Sequence, residues 1–201
     1  MLDLEDAVPP EEKDVARRLI DQAIPLVSRG GAEIFVRVNH DPTNLAPDLE
    51  ASVRPALDGI CFPKTESARE VEHLEAQIAD LERSRGIAPG RIEIAPLIES
   101  PRGLLNLEAI ASASRRIRTI SLGPEDYSLG LGVEPSTDGI ELHYALSKLV
   151  TGCKAAGIVA LKDVSAYTRG IAFDLPPRAD AERLFNRLLA DPRCQLGWPD
   201  A

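Results

Sequence analysis

At 201 residues the chain is long enough for one sizeable domain, and its 44% apolar and 27% charged residues exclude a disordered or fibrous protein. A net charge of −9 argues against a nucleic-acid partner, which needs a basic face. No apolar run approaches the 18 or so residues of a membrane span. Cys61, Cys153 and Cys194 are odd in number, far apart and without a CxxC pair, so a reducing compartment is expected and structural zinc is not. With no leader pattern before the first apolar run, a cytoplasmic, soluble protein is expected.

In chain order, MLDLED reads as a strand end. The segment PPEEKDVARRLIDQAIPLVSRGG follows with Val15, Leu19, Ile20 and Ala23 at helical spacing, prolines at its entrance and Gly30-Gly31 at its exit. AEIFVRVN reads as a second strand, DPTNLAPD as a loop, DLEASVRPAL as a short helix and GICFPK as a third strand. The next helix is the best marked. Ser67 with Glu70 fits a capping box, and Val71, Leu74, Ile78 and Leu81 form one stripe. RIEIAPLIES and PRGLLNLEAIASAS make a fourth strand and its helix, and RTISLGPEDY a fifth strand with a Gly/Pro-broken end. A glycine-rich loop, SLGLGVEPSTDG, precedes the helix IELHYALSKLVTGCKAAG and a sixth strand, IVALKDV. The tail holds one further helical pattern, ADAERLFNRLLA, over 179–190.

Six β/α units in a row predict an α/β fold with a parallel sheet. The polar residues favour a TIM-type (β/α)8 barrel, here incomplete at about six units, over a doubly wound sheet. They sit at the carboxyl ends of nearly all the strands: Glu5 and Asp6, Arg37 and Asn39, Lys64, Glu99, Glu125 and Asp126. A barrel gathers its chemistry at that mouth, whereas a doubly wound sheet concentrates it at one switch point, usually after a Gly-rich turn that is missing here. Residues 1–170 are read as the partial barrel carrying the site, and 171–201 as a divergent helical tail.

Glu99, at the end of a strand, suits a hard cation such as Mg2+, which prefers oxygen ligands and keeps several waters. The bland alternative is a carboxylate resting near a helix start. Gly123 and Pro124 turn the backbone so that Glu125 and Asp126 overhang the same mouth, unless Asp126 merely caps the next segment. Arg37 lies between apolar neighbours and points inward, so it needs an anionic partner. That partner is either a substrate carboxylate held by its two-pronged fork or a structural acid such as Glu5, Asp6 or Glu99. Lys64 pairs with carboxylates or, less simply, forms a Schiff base. His40, His73 and His143 share no spacing, and no Ser/His/Asp set is visible.

The ordered set LDLEDAVPPEEK, FVRVN, FPK, LIESPRGLLN and LGPEDYSLGLG resembles the citrate lyase beta-subunit-like family of the HpcH/HpaI aldolase superfamily over roughly the first 160 residues. The resemblance implies a barrel that binds Mg2+ and cleaves or forms a carbon–carbon bond beside a carbonyl. The substrates it implies are 3-hydroxyacyl-CoA thioesters of the citryl-, malyl- or citramalyl-CoA type, or free 2-oxo acids in other relatives. Carried over, Glu99 and Asp126 match the metal ligands, Arg37 the substrate-carboxylate residue, and Glu5 and Asp6 an acidic pair near the metal. Lys64 joins the substrate-binding set. A homo-oligomer, trimer or hexamer, is expected.

By the same likeness LDLED matches the second barrel strand, so the first is expected to be missing, as are the segments that follow the seventh strand in relatives. Leu146 stands where relatives commonly have arginine. An open barrel exposes strand edges. The chain is therefore expected either to close its sheet by oligomerising or to be a truncated copy, in the extreme an inactive interaction subunit.

Overall fold

The computed structural model describes residues 1–27 and 33–161, all within one compact unit, Met1–Asp163. The predicted boundary at 170/171 and the helix predicted over 179–190 lie outside the described residues.

Strands β1 (Leu2–Asp3), β2 (Phe35–Arg37), β3 (Gly59–Phe62), β4 (Glu93–Ile98), β5 (Thr119–Leu122) and β6 (Val159–Leu161) form one sheet in sequence order. Every neighbouring pair is parallel. Helices α1 (Lys13–Val27), α2 (Pro42–Ser52), α3 (Ala68–Ser84), the short pair α4 (Pro101–Leu105) and α5 (Leu107–Ser112), and α7 (His143–Ala155) make the crossovers. Parallel strands need such crossovers, and sequential order with one helix layer is the way a β/α barrel is wound. All the carboxyl ends therefore lie on one rim. β1 and β6 are the outer strands among the described residues, as an incomplete barrel requires.

The core lies between sheet and helices. Val36, Ile60 and Ile94 are adjacent in register and fully buried. Helix α3 buries Val71, Leu74 and Ile78 completely, and its Ser67–Glu70 capping box is complete. In α1 the pattern shifts: Ile20 and Ile24 are buried, while Val15 and Leu19 are exposed beside the open β1 edge.

Two segments differ from the sequence reading. DPTNLAPD is the start of α2 and not a loop. The Asp41 side chain accepts from the amides of Thr43 and Asn44, and Pro42 occupies the first turn, where its missing N–H costs nothing. The stretch after Gly123 likewise winds into helix α6 (Pro124–Leu131), closed by Gly132 at φ 70°. Asp126 thus sits in a first helical turn.

At the amino ends of the strands a buried ion pair ties α3 to the sheet. The Glu82 carboxylate takes two hydrogen bonds from the Arg116 guanidinium, at 2.8 and 2.6 Å, and two more from the amides of Gly90 and Ile92. Among the described residues no helix is long and apolar enough to cross a membrane.

Removing one partner of such a pair leaves a buried, uncompensated charge. Glu82→Ala is expected to cost about 3–5 kcal/mol in urea unfolding. A loss under about 1 kcal/mol contradicts the clamp.

Candidate active site at the carboxyl rim

The register sets the first ion pair. Asp3 and Arg37 are partners across β1 and β2, so their side chains leave the same face. The Arg37 Nε donates to Asp3 Oδ1 at 3.0 Å and its Nη2 to Asp3 Oδ2, a two-pronged grip, while Nη1 lies 3.2 Å from Glu5 Oε2. The hydrogen bonds to Asp3 raise the Arg37 pKa, although burial opposes its charge. The fork expected to hold a substrate carboxylate is therefore engaged by Asp3 and Glu5. Sequence reasoning misses Asp3, because its pairing with Arg37 depends on the β1–β2 register.

Glu5 is buried and shared. Its Oε1 accepts from Lys64 Nζ at 2.5 Å, and the same ammonium reaches both Asp6 carboxylate oxygens at 3.3 Å. Burial disfavours the Lys64 charge, but Glu5 and then Asp6 outweigh it and the pKa rises. An ammonium so held is a poor Schiff-base nucleophile. The backbone of Lys64 is unusual too, with φ 51°, the one non-glycine positive φ among the described residues. That turn aims its amide at Glu99 Oε2, 2.7 Å away.

Below the acidic pair, Lys13 and Asn39 pin the rim. Lys13 Nζ donates to the carbonyls of Leu4 and Glu5 and to Asn39 Oδ1, and Asn39 Nδ2 donates to Leu4 O and to the fully buried Asp48. Neither Lys13 nor Asp48 was singled out by the sequence, because a lysine and an aspartate on amphipathic helices read as solvated.

Glu99 is 8% exposed and packs against Gly123 so closely that a Cβ there would stand 2.5 Å from Glu99 Oε1. Burial, helped by the charges of Asp126 and Glu5 and resisted by the Lys64 amide, pushes its pKa up to about 7. Glu99, Asp126, Lys64, Glu66 and Glu70 line one cavity of about 430 Å³. Four carboxylate residues and one lysine thus share the described lining with His40.

That donor set fits a hard divalent cation. Its carboxylates supply oxygen donors, with the His40 imidazole the one nitrogen donor among the described lining residues; the excess charge is negative, and Glu99 is a carboxyl whose ionised form burial leaves undercompensated. The four carboxylates do not converge on one point: among the described residues no three or more His, Cys, Asp or Glu side chains are grouped so as to hold a metal, and the fit rests on two. Glu99 and Asp126 would supply two ligands, which suits Mg2+ with its retained waters and substrate oxygens.

Residues 1–172 match the family described as HpcH/HpaI aldolase/citrate lyase. The chain belongs to that family. It is 39% identical to the citrate lyase subunit beta of Escherichia coli K12 over 185 residues, 92% of this chain and 61% of that protein. To the L-malyl-CoA/beta-methylmalyl-CoA lyase of Cereibacter sphaeroides it is 31% identical over 182 residues, 79% of this chain and 56% of that one. Among solved structures, protein CitE from Mycobacterium tuberculosis in complex with magnesium and acetate superposes with a TM-score of 0.58 at 25% identity, covering 79% of this chain and 61% of that chain. The chain thus spans little more than half the length of the curated relatives it matches. The fold is that of a TIM-type barrel, incomplete as described.

The Glu99 carboxyl gives a pH test. Its folded pKa of about 7 exceeds the ordinary 4.5, so between those values the folded chain holds a proton that the unfolded chain has released. Stability therefore falls as pH rises through this window, by an order of 3 kcal/mol when complete. In EDTA at pH 8, Glu99→Gln is expected to melt several degrees above wild type, with the gap closing towards pH 4.5. A variant that melts lower at pH 8 contradicts the assignment.

Proposed function

We propose that this chain carries the metal and substrate site of a Mg2+-dependent carbon–carbon lyase. Its substrate in this reading is a 3-hydroxyacyl-CoA thioester of the citryl-, malyl- or citramalyl-CoA type. The observation that carries the reading is the shared cavity of Glu99 and Asp126, with its excess of carboxylates over Lys64. An anionic substrate is repelled by such a cavity unless a cation reverses the local field. The names of the curated relatives, citrate lyase subunit beta and malyl-CoA lyase, support the reaction class.

Glu99 and Asp126 would hold the ion. A bound Mg2+ supplies a Lewis acid for the enolate charge that retro-aldol or Claisen cleavage builds. Among the described residues Lys64 is the one lysine or arginine lining the cavity, and a substrate carboxylate that displaces the exposed Asp6 would take up its ammonium. Arg37 acts through others in this reading: gripping Asp3 and touching Glu5, it fixes the acid that holds Lys64. A homo-oligomer is part of the proposal.

The test is turnover of citryl-, malyl- and citramalyl-CoA by the purified chain with Mg2+, read as release of acetyl-CoA or of the oxo-acid product. At least one ester is expected to be cleaved, and Asp126→Asn to lower that rate at least about a hundredfold, since Lewis-acid stabilisation is worth several kcal/mol. A folded chain inert to all three esters, or an unaffected variant, sinks the proposal.

A further inference from the structure

Two cavities meet at one pair of side chains. The carboxylate cavity of about 430 Å³ and a second of about 470 Å³, lined by residues of α2 and α3, share His40 and Glu70 in their walls. In the second, Pro42, Leu45, Ala46 and Phe62 form an apolar wall, and His73 and Gln77 of α3 complete the lining.

The partition is unequally anchored. Glu70 is fixed, since its Oε2 accepts from the amides of Glu66 and Ser67, each at 2.8 Å. The His40 ring is held otherwise. It stacks on the buried Phe62 with centroids 5.1 Å apart. Its Nε2 is sheltered and has no hydrogen-bond partner among the described residues, with Glu70 Oε1 standing 3.6 Å away, beyond hydrogen-bonding range. Bulk and stacking, and not a hydrogen bond, keep this ring between the two spaces.

We infer that His40 determines the size specificity of the site: its ring closes the metal cavity against the apolar cleft, so that acids with short side groups are accepted and larger apolar ones excluded. Removal of the ring joins the spaces, and the cleft then takes an apolar side group of the bound acid. The inference rests on the reading of the carboxylate cavity as a Mg2+ site. It needs no proton transfer by the imidazole.

Binding of pyruvate, 4-methyl-2-oxopentanoate and phenylpyruvate, measured by calorimetry in saturating Mg2+, tests this in wild type, His40→Ala and His40→Phe. Wild type is expected to bind pyruvate at least about tenfold more tightly than either larger acid. In His40→Ala the larger acids tighten about tenfold while pyruvate changes little, the scale expected when an apolar group gains or loses its pocket. His40→Phe, which keeps bulk and stacking without the nitrogens, retains the wild-type order. Equal discrimination by wild type and His40→Ala overturns the inference, and so does a His40→Phe that behaves like His40→Ala; both leave the metal reading standing if pyruvate binds. Absence of Mg2+-dependent pyruvate binding in all three folded proteins removes the metal reading and the partition with it.

Discussion

The rim is organised by Lys64. Its backbone turns to a left-handed φ of 51°, a conformation that costs a non-glycine residue about 1–2 kcal/mol. Through that turn the amide reaches Glu99, and the side chain reaches Glu5 and Asp6. One residue thus connects the carboxyl ends of β1, β3 and β4. Strain of this kind persists only where surrounding contacts over-determine it, and here they do. Glu5 is also held by Arg37, while the strand end that carries it is pinned by Lys13 and Asn39.

The consequence is a cavity unbalanced in charge. Arg37 is committed to Asp3 and Glu5, and Lys64 to Glu5 and Asp6, so neither neutralises Asp126 directly, and among the described residues the Glu99 carboxylate accepts only the Lys64 amide. The packing of Glu99 against Gly123 removes water from the carboxyl, whose pKa rises to about 7. A fold selected for stability alone would replace such a group. Keeping it is understandable where a cation supplies the missing charge.

Much of this was legible in the sequence because it follows from local pattern. Six apolar runs separated by amphipathic segments predict the parallel sheet, and Ser67–Glu70 predicts the start of α3 to the residue. Polar residues at strand ends located Glu5, Lys64, Glu99 and Asp126 on one rim. What was not legible depends on pairing across distance. The capture of Arg37 by Asp3 is fixed by the β1–β2 register, which no single segment contains. The starts of α2 and α6 were obscured because Pro, Gly and Asp read as loop, though at a helix start they serve as caps and first-turn residues. His40 gave no motif at all. Its role comes from a ring stacked on Phe62 of the next strand and from a carboxylate on α3.

The account stands or falls on whether Glu99 and Asp126 hold a divalent cation in the chain as it is. The most direct measurement is a Mn2+ titration followed by the electron paramagnetic resonance of the free aquo ion, at pH 8 and with excess Mg2+ as competitor. The account predicts one Mg2+-competable site per chain in wild type and its loss in Asp126→Asn. A folded wild-type chain that leaves all the Mn2+ free, or a variant that binds as wild type does, contradicts it.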